Sequence, residues 1–235
     1  MICNSFELQS SSVRVKRSYD DPCGVARALD VVGERWALLI VRELMLGPKR
    51  FTALSGGLPG ISQNVLSQRL RELADAGIVR RRTFGPPASS HGYELTEQGH
   101  QLEPVLLALA CWGSRIPTGS AAELSVDALI LALKTTFDPG TAGTLQARLE
   151  LRIGDDCFHA EVGSGRFRIA RGSAGQADAT LTADALTFRA LVFGGQAVTG
   201  ALHSGDLQVD GDRRVAAWFA RCFPRPAAVG PTADL

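Results

Sequence analysis

Apolar and polar positions follow two different periods along the chain, and the change of period divides it. Up to about residue 117, apolar residues recur at the three- to four-residue spacing of amphipathic helices. From about residue 144 to residue 182 they alternate with polar residues, as in half-buried strands, and helical spacing then returns. The pattern predicts an α+β protein of two domains.

The stretch from residue 60 to residue 77 is predicted to be one helix with two faces. Ser62 is a good N-cap residue, and Gly77 suits the left-handed position that follows a helix. The apolar face carries Leu66, Leu70 and Leu73. The opposite face carries Asn64, Ser67, Gln68 and Arg71. These polar side chains are of the types that read base edges and grip phosphates, although a polar face is also typical of plain solvated surface.

The flanking sequence favours the DNA-binding interpretation. A short helix beginning at Lys49 and a glycine-bearing turn precede the stretch, which makes a helix-turn-helix. The β-prone segments Ile78–Phe84 and Tyr93–Thr96 follow as a two-stranded wing, with Arg81 facing away from Arg80 and Arg82. The candidate DNA-binding residues are Arg50, Ser62, Gln63, Asn64, Ser67, Gln68, Arg71, Arg80, Arg82, Ser89, Ser90 and His91.

A further helix beginning near Thr96 carries an apolar stripe at near-heptad spacing. The stripe consists of Leu102, Val105, Leu106, Leu109 and Trp112. It has two interpretations: it packs on the winged helix, or it pairs with the same helix of a second subunit.

The second half is predicted to be an antiparallel sheet with helices on one side. One helix covers residues 124–137, four alternating segments follow, and two helices lie near residues 183–194 and 213–223. Apolar residues of the last two helices are candidates for an apolar ligand pocket, or else they fill an ordinary core. They are Phe188, Leu191, Phe193, Trp218 and Phe219.

The predicted organisation has four parts. They are an arm at 1–22, a winged helix at 23–119, an α+β domain at 120–224 and a loose tail at 225–235. Arg14, Lys16 and Arg17 of the arm can reach DNA, although a solvated arm explains them equally. The chain has 14 basic and 11 acidic residues up to Pro117, and 11 basic and 13 acidic residues after it, so the charge only mildly favours the first half as the nucleic-acid binder.

Many ordered positions of the first half resemble the HxlR-type winged helix-turn-helix regulators. They are Cys23 before a helix, Gly33-Glu-Arg-Trp36, Arg50-Phe51, Leu58-Pro-Gly-Ile-Ser62, Arg69-Leu70, Gly77, Tyr93-Glu-Leu-Thr96, Gly99 and Trp112. The resemblance implies a homodimer that binds an inverted-repeat operator. The chain departs from the family pattern at Gly24, where proline is usual, and at Glu34-Arg35, where Gly-Lys is usual.

Residues of the second half resemble the sterol-carrier-protein type 2 domain. They are Ala177-Asp-Ala-Thr-Leu-Thr182, Phe193-Gly194, Gly200-Ala-Leu202 and Gly205-Asp-Leu-Gln-Val-Asp-Gly-Asp212. The resemblance implies an apolar ligand or lipid bound between sheet and helices.

Cys23 is a candidate redox sensor, because in some regulators of this type a cysteine at this position responds to oxidants. A thiol near a helix N-terminus has a lowered pKa. The alternative is a partly buried structural cysteine.

Other classes of protein fit the sequence less well. The five cysteines lack paired spacing, and neither a membrane span nor a secretory signal is present, which favours a cytoplasmic protein without membrane contact. No Gly-x-Ser-x-Gly motif occurs, and Cys157 with His159 is too small a set for a metal site, so we expect no enzyme, metal or cofactor.

The sequence therefore predicts a homodimeric, sequence-specific transcriptional regulator that binds double-stranded DNA. An apolar small molecule or lipid in the second domain, or oxidation of Cys23, is expected to modulate it. The alternative is a carrier of apolar ligands that uses its winged helix for protein contacts.

Overall fold

A computed structural model of the chain describes residues 18–85, 90–117, 123–144 and 146–225. Arg14, Lys16, Arg17 and Ser89, as well as residues 226–235 of the predicted tail, lie outside these ranges. Within the described ranges, none of the helices is both long and apolar enough to cross a bilayer.

The first half is a winged helix. Its helices are α1 (Gly24–Val32), α2 (Ala37–Leu44), α3 (Phe51–Gly56), α4 (Gln63–Asp75), α5 (Glu97–His100) and α6 (Glu103–Gly113). Its strands are β1 (Lys49–Arg50), β2 (Val79–Phe84) and β3 (Ser90–Leu95), in the sheet order β1-β3-β2. Its buried core includes Ile40, Leu44, Leu54, Leu66, Leu70 and Leu73.

The wing sheet has one strand more than the sequence predicts. Lys49 and Arg50 do not start a helix but pair antiparallel with Tyr93 and Gly92 of β3. The close approach requires glycine, because a Cβ at Gly92 would lie 2.5 Å from the Lys49 carbonyl oxygen and 2.4 Å from the Phe84 ring. A two-residue strand is too short to leave a periodic signal in the sequence.

Two helices of the first half have irregular ends or breaks. Helix α2 begins only at Ala37, because Trp36 adopts φ +81°, a left-handed conformation that a bulky residue rarely takes. The helix that begins after Thr96 is broken near Leu102 into α5 and α6, where Pro104 opens the second of them.

The second half is a sheet with helices packed against one face. Its helices are α7 (Val126–Thr136), α8 (Pro139–Ala142), α9 (Ala185–Phe193), α10 (Val198–Ser204) and α11 (Arg213–Arg221). Its strands are β4 (Ala147–Ile153), β5 (Asp156–Gly163), β6 (Arg166–Arg171), β7 (Ala179–Ala183) and β8 (Gln208–Gly211), in the order β6-β5-β4-β7-β8. Alternation puts Leu149, Leu151 and Ile153 on the covered face, while Arg148 and Arg152 face outwards.

The sheet is not wholly antiparallel, because β4 and β7 are parallel neighbours. The connection of residues 172–178 therefore has to return from the end of β6 to the start of β7, across the outer face of the sheet. Glu150 of β4 holds this connection. Its carboxylate accepts hydrogen bonds from the Ser173 hydroxyl at 2.6 Å and from the Ala174 amide at 2.9 Å.

Because of these hydrogen bonds, we expect the stability of the second half to depend on pH in the acidic range. The Ser173 hydroxyl, the Ala174 amide and Arg152 together lower the pKa of Glu150 from 4.5 to about 2. A depressed folded-state pKa contributes stability that is complete above pH 4.5 and is lost as the pH falls towards 2. We expect Glu150→Gln to unfold at a lower temperature than wild type at neutral pH, with a difference that shrinks between pH 4.5 and pH 2.

Thermal denaturation followed by circular dichroism at several pH values measures this difference. Glu161→Gln is the matched control, since its carboxylate is 49% exposed and lies 3.4 Å from Arg148. A Glu150→Gln deficit that stays constant from pH 7 to pH 2 would contradict the assignment.

Candidate nucleic-acid interface

Helix α4 has the two ends that its sequence predicts. The Ser62 hydroxyl accepts a hydrogen bond from the Val65 amide at 3.3 Å. At the other end Gly77 has φ +73°, and its amide donates to the Ala74 carbonyl at 3.0 Å. The Ile78 amide donates to the Leu73 carbonyl at 2.9 Å, which completes a Schellman motif. Both ends are closed within the segment itself, so the length of α4 is fixed locally.

The apolar face of α4 is buried and its polar face is open. Leu66, Leu70 and Leu73 lie in the winged-helix core. Gln63, Asn64 and Arg71 are exposed, and Ser67 and Gln68 are half-buried.

Hydrogen bonds hold the polar face of α4 in order. Arg71 donates to the Gln68 side-chain oxygen at 3.0 Å and to the Ser67 carbonyl at 3.3 Å. The Gln68 amide group donates to Glu72 at 2.6 Å. Gln68 and Arg71 are thus presented as one bonded pair, and each keeps further N–H donors for a ligand.

The wing presents paired arginines. Arg80 and Arg82 share the carboxylate of Glu94, at 2.8 Å and 2.6 Å, and their side chains are 67% and 50% exposed. The hydrogen bond from Arg82 is the largest of several effects that lower the pKa of Glu94. Two guanidinium groups on one carboxylate leave a net positive charge at this face of the sheet. Sequence reasoning did not find Glu94, because alternation along a strand does not report the cross-strand register that places Glu94 opposite Arg80.

Three further predicted DNA contacts, Arg50, Ser90 and His91, lie on the same sheet. Arg50 is exposed in β1, and its guanidinium carbon lies 5.4 Å from the centre of the Phe84 ring. His91 is exposed in β3, with its Nδ1 3.5 Å from the Thr83 hydroxyl oxygen. Ser90 begins β3.

The apolar stripe of α6 divides into two faces. Leu106 is buried, and Leu102 packs against the same winged-helix core. Val105, Leu109 and Trp112 are 52%, 46% and 66% exposed. The first interpretation, packing on the winged helix, therefore holds for Leu102 and Leu106. The second, pairing with another subunit, stays a prediction for the three exposed side chains.

Cys23 occupies the N-cap position of α1 and is exposed. Hydrogen bonding to the backbone amides of Val25 and Ala26 lowers the pKa of its thiol. The alternative, a partly buried structural cysteine, is wrong for Cys23. Cys222 is the buried cysteine, and burial raises the pKa of its thiol to about 11.

The predicted apolar pocket is not one site. Phe188 and Phe219 are fully buried in the C-terminal core, where Phe219 belongs to an aromatic cluster with Phe167 and Phe223. Trp218 packs against that core, partly buried. Leu191 and Phe193 do line an open groove of about 650 Å³. The space between sheet and helices is filled by aromatic rings, and the groove lies among residues of α9, α10 and α11.

Cys157 and His159 lie on the outer face of β5. The Cys157 thiol donates to the Gly172 carbonyl at 3.6 Å. Over the described ranges, no three His, Cys, Asp or Glu side chains come together in a way that suits a metal ion.

Residues 31–119 match the family model described as HxlR-like helix-turn-helix. The uncharacterized HTH-type transcriptional regulator YkvN of Bacillus subtilis is 38% identical over 91 residues, which are 39% of this chain and 77% of YkvN. The chain belongs to the HxlR-like helix-turn-helix family. Residues 132–224 match the SCP-2 sterol transfer family, so both predicted resemblances are confirmed.

Other relatives cover the same part of the chain. An uncharacterized HTH-type transcriptional regulator of Mycobacterium tuberculosis is 44% identical over 89 residues, which are 38% of this chain. The chain spans 56% of the length of that mycobacterial relative. The solved structure of the reduced form of the transcriptional regulator YodB from B. subtilis is 34% identical, with a TM-score of 0.37, over 42% of this chain and 97% of that one.

The two cysteine environments give a testable contrast. Thiolate is the reactive form, so Cys23, which is exposed and has a lowered pKa, should be alkylated by iodoacetamide near neutral pH far faster than Cys222. The folded protein is labelled for timed intervals and then digested, and mass spectrometry of the peptides measures both rates in one sample.

The pH dependence of the labelling isolates the thiolate effect from simple exposure. The Cys23 rate should reach half of its plateau at a lower pH than the rate of an ordinary exposed thiol does. A Cys23 that labels no faster than Cys222 in the folded protein would exclude a reactive thiol at this position.

Proposed function

We propose that this protein is a sequence-specific DNA-binding transcriptional regulator that acts as a homodimer on an inverted-repeat operator. The observation that carries the proposal is the polar face of α4, where Asn64 and Arg71 are exposed and Gln68 is half-buried, beside an arginine-bearing wing. Membership of the HxlR-like family supports it, as do relatives that are themselves named HTH-type transcriptional regulators.

Base recognition is assigned to α4. Asn and Gln can make paired hydrogen bonds to adenine, and Arg can make them to guanine, each pair giving about 1–3 kcal/mol of discrimination. The Arg71–Gln68 hydrogen bond keeps both side chains extended along the helix surface before DNA arrives, which reduces the conformational entropy lost on binding.

The wing is assigned to the DNA backbone. Arg80 and Arg82 are held a fixed distance apart by Glu94 and carry an excess positive charge that attracts phosphates. Contacts of this kind orient the protein on the duplex without reading sequence, and they weaken as salt rises.

The recognition role of α4 is tested by removing its central pair. We expect Gln68→Ala combined with Arg71→Ala to weaken binding to the promoter region of the protein's own gene by roughly a hundredfold, since two base-reading side chains are lost. A gel shift at fixed salt gives the affinity.

A matched pair of substitutions serves as the control. Gln176→Ala with Arg166→Ala removes the same residue types from exposed positions in the C-terminal half and should leave the affinity unchanged. Circular dichroism confirms that both variants are folded. Equal affinities for wild type and the Gln68/Arg71 variant would remove α4 from the recognition role.

Dimer formation is assigned to the open face of α6. Val105, Leu109 and Trp112 of α6 recur at helical spacing with Ile116, which lies just after the helix, and all four are about half exposed or more. So many exposed large apolar side chains in one short segment are unusual. Helix α1 also exposes Val25 and Leu29, at 68% and 42%. A second copy would cover this surface and place two α4 helices about one DNA turn, roughly 34 Å, apart.

A charge placed in this surface should separate the protomers. We expect Leu109→Glu to sediment as a monomer in analytical ultracentrifugation, because a carboxylate cannot be buried unpaired in an apolar interface. Leu186→Glu is the control, since Leu186 is 58% exposed on α9 in the C-terminal half. A Leu109→Glu variant that remains as dimeric as wild type would exclude this face.

Modulation by an apolar ligand is assigned to the groove among α9, α10 and α11. Leu191, Phe193, Val198 and Phe223 line it, together with Arg221 and Arg225. The match to the SCP-2 sterol transfer family supports an apolar ligand there. The same groove supports the alternative function, a carrier of apolar ligands whose winged helix contacts protein, and the gel shift above separates the two functions.

Oxidation of Cys23 is the second candidate for modulation. The exposed thiol at the N-cap of α1 lies on the helix that also exposes Val25 and Leu29. We propose that a covalent change at Cys23 would act through α1, whose exposed Val25 and Leu29 we include in the proposed dimer surface.

A further inference from the structure

Two carboxylates from different halves of the chain are buried together. Glu43 of α2 is fully buried, and Asp127 of α7 is 2% exposed. The Lys49 ammonium of β1 lies between them, 2.7 Å from Glu43 and 2.5 Å from Asp127. A lysine of the wing sheet thus neutralises one carboxylate of its own domain and one of the other domain.

Two arginines complete the arrangement. Arg42 donates to Glu43 at 2.8 Å and 3.1 Å, and Arg171 of β6 donates to Asp127 at 3.1 Å and 3.2 Å. We name Arg42, Glu43, Lys49, Asp127 and Arg171 the interdomain ion cluster. Arg171 also pairs with the partly exposed carboxylate of Asp156, outside the cluster. The Ser125 hydroxyl, which caps α7, donates to Glu43 at 2.6 Å.

The cluster touches the wing. Lys49 pairs with Tyr93 in β3, and the next residue of β3 is Glu94, which holds Arg80 and Arg82. Displacement of Lys49 would therefore move the strand that orients the proposed phosphate contacts.

The cluster also touches the turn before α4. Arg42 lies 3.4 Å from the Gly57 carbonyl oxygen. A Cβ at Gly57 would lie only 2.2 Å from the Glu43 carboxylate, so the turn packs directly on this buried charge. The wing and the turn before α4, on which the proposed DNA interface depends, therefore both contact the interdomain ion cluster.

Buried ion pairs tolerate little displacement. Removing one partner leaves an uncompensated charge away from water, which is strongly unfavourable. Asp127 and Arg171 thus constrain the position of Lys49 from the C-terminal half. Burial raises the pKa of Asp127, while Lys49 and Arg171 oppose that effect.

We propose that Asp127 is a positioning residue for the DNA-reading elements, and that the interdomain ion cluster transmits the state of the C-terminal domain to the wing and to the turn before α4. This inference rests on the proposed DNA-binding function. It assigns the route of regulation to five charged residues, none of which lines the ligand groove or is itself a proposed DNA contact.

The chain offers an internal control for simple domain docking. Lys134 of α7 pairs with Glu103 of α6 at 2.5 Å, which also joins the two halves. This pair lies on α6 and touches neither β1 nor the turn at Gly57. A substitution of Lys134 therefore weakens the same junction without changing any residue of the interdomain ion cluster.

The experiment compares Asp127→Asn with Lys134→Gln in the full-length protein. Asp127→Asn keeps the side-chain shape and removes its charge. We expect it to weaken operator binding on the order of tenfold, as is typical of coupling between distinct sites, and Lys134→Gln to leave affinity within about twofold. Lys49→Met and the double variant Lys49→Met/Asp127→Asn complete a double-mutant cycle, in which the double variant should lose no more affinity than the stronger single one.

Hydrogen exchange provides a readout that does not depend on DNA. Asp127→Asn should accelerate amide exchange in the peptides that cover β1, the Gly57 turn and β3, whereas Lys134→Gln should not. Arg171→Gln, at a partly exposed position, is the milder variant if Asp127→Asn does not fold.

The outcomes separate the inference from the function on which it rests. Faster exchange in the wing with the predicted affinity pattern supports both. If the wild type binds DNA but Asp127→Asn changes neither exchange nor affinity, the coupling is overturned and the DNA-binding function is not. The same conclusion follows if Asp127→Asn and Lys134→Gln have equal effects. A wild-type protein that binds no operator overturns the proposed function, and the exchange comparison still decides whether Asp127 positions the wing.

Discussion

The need to neutralise Glu43 and Asp127 away from water governs how the two halves of this chain meet. Burying either carboxylate in the junction is costly without a close cation, and the Lys49 ammonium lies within 2.7 Å of both. Lys49 in turn belongs to a strand of only two residues, which persists because it pairs with β3 at Gly92. The shape of the wing, the entry into α7 and the turn before α4 are all tied to this arrangement.

Local chemistry made much of the fold predictable. Ser62 and Gly77 mark the ends of α4 because capping depends on residues within the segment itself. Alternation identified β4, β5 and β6. One face of each strand is covered by helices, so apolar and polar residues alternate within the segment itself. The α+β class with two domains follows from these local signals.

Features that depend on distant partners could not be predicted. The parallel pairing of β4 and β7 depends on a connection that Glu150 holds across the sheet, and no periodicity reports such a bond. The division of the α6 stripe into the buried Leu106 and the exposed Leu109 depends on which neighbours pack against α6. The interdomain ion cluster was missed because a charged residue in sequence looks the same whether it is solvated or paired. The apolar residues of α9 and α11 were correctly placed on helices, but Phe219 fills the core and Phe193 lines the groove.

Helix α6 has three different neighbours around its circumference. One side contributes Leu106 to the winged-helix core, a second contacts α7 through Glu103, and the third is the open apolar face. If two copies pair through that third side, α6 becomes a shared wall between the DNA-reading domain, the C-terminal domain and the other protomer. A rotation of one protomer against the other would then shift α7 as well as α4. The crossing angle of the dimer would thus be a single geometric variable to which operator spacing and the C-terminal domain both respond.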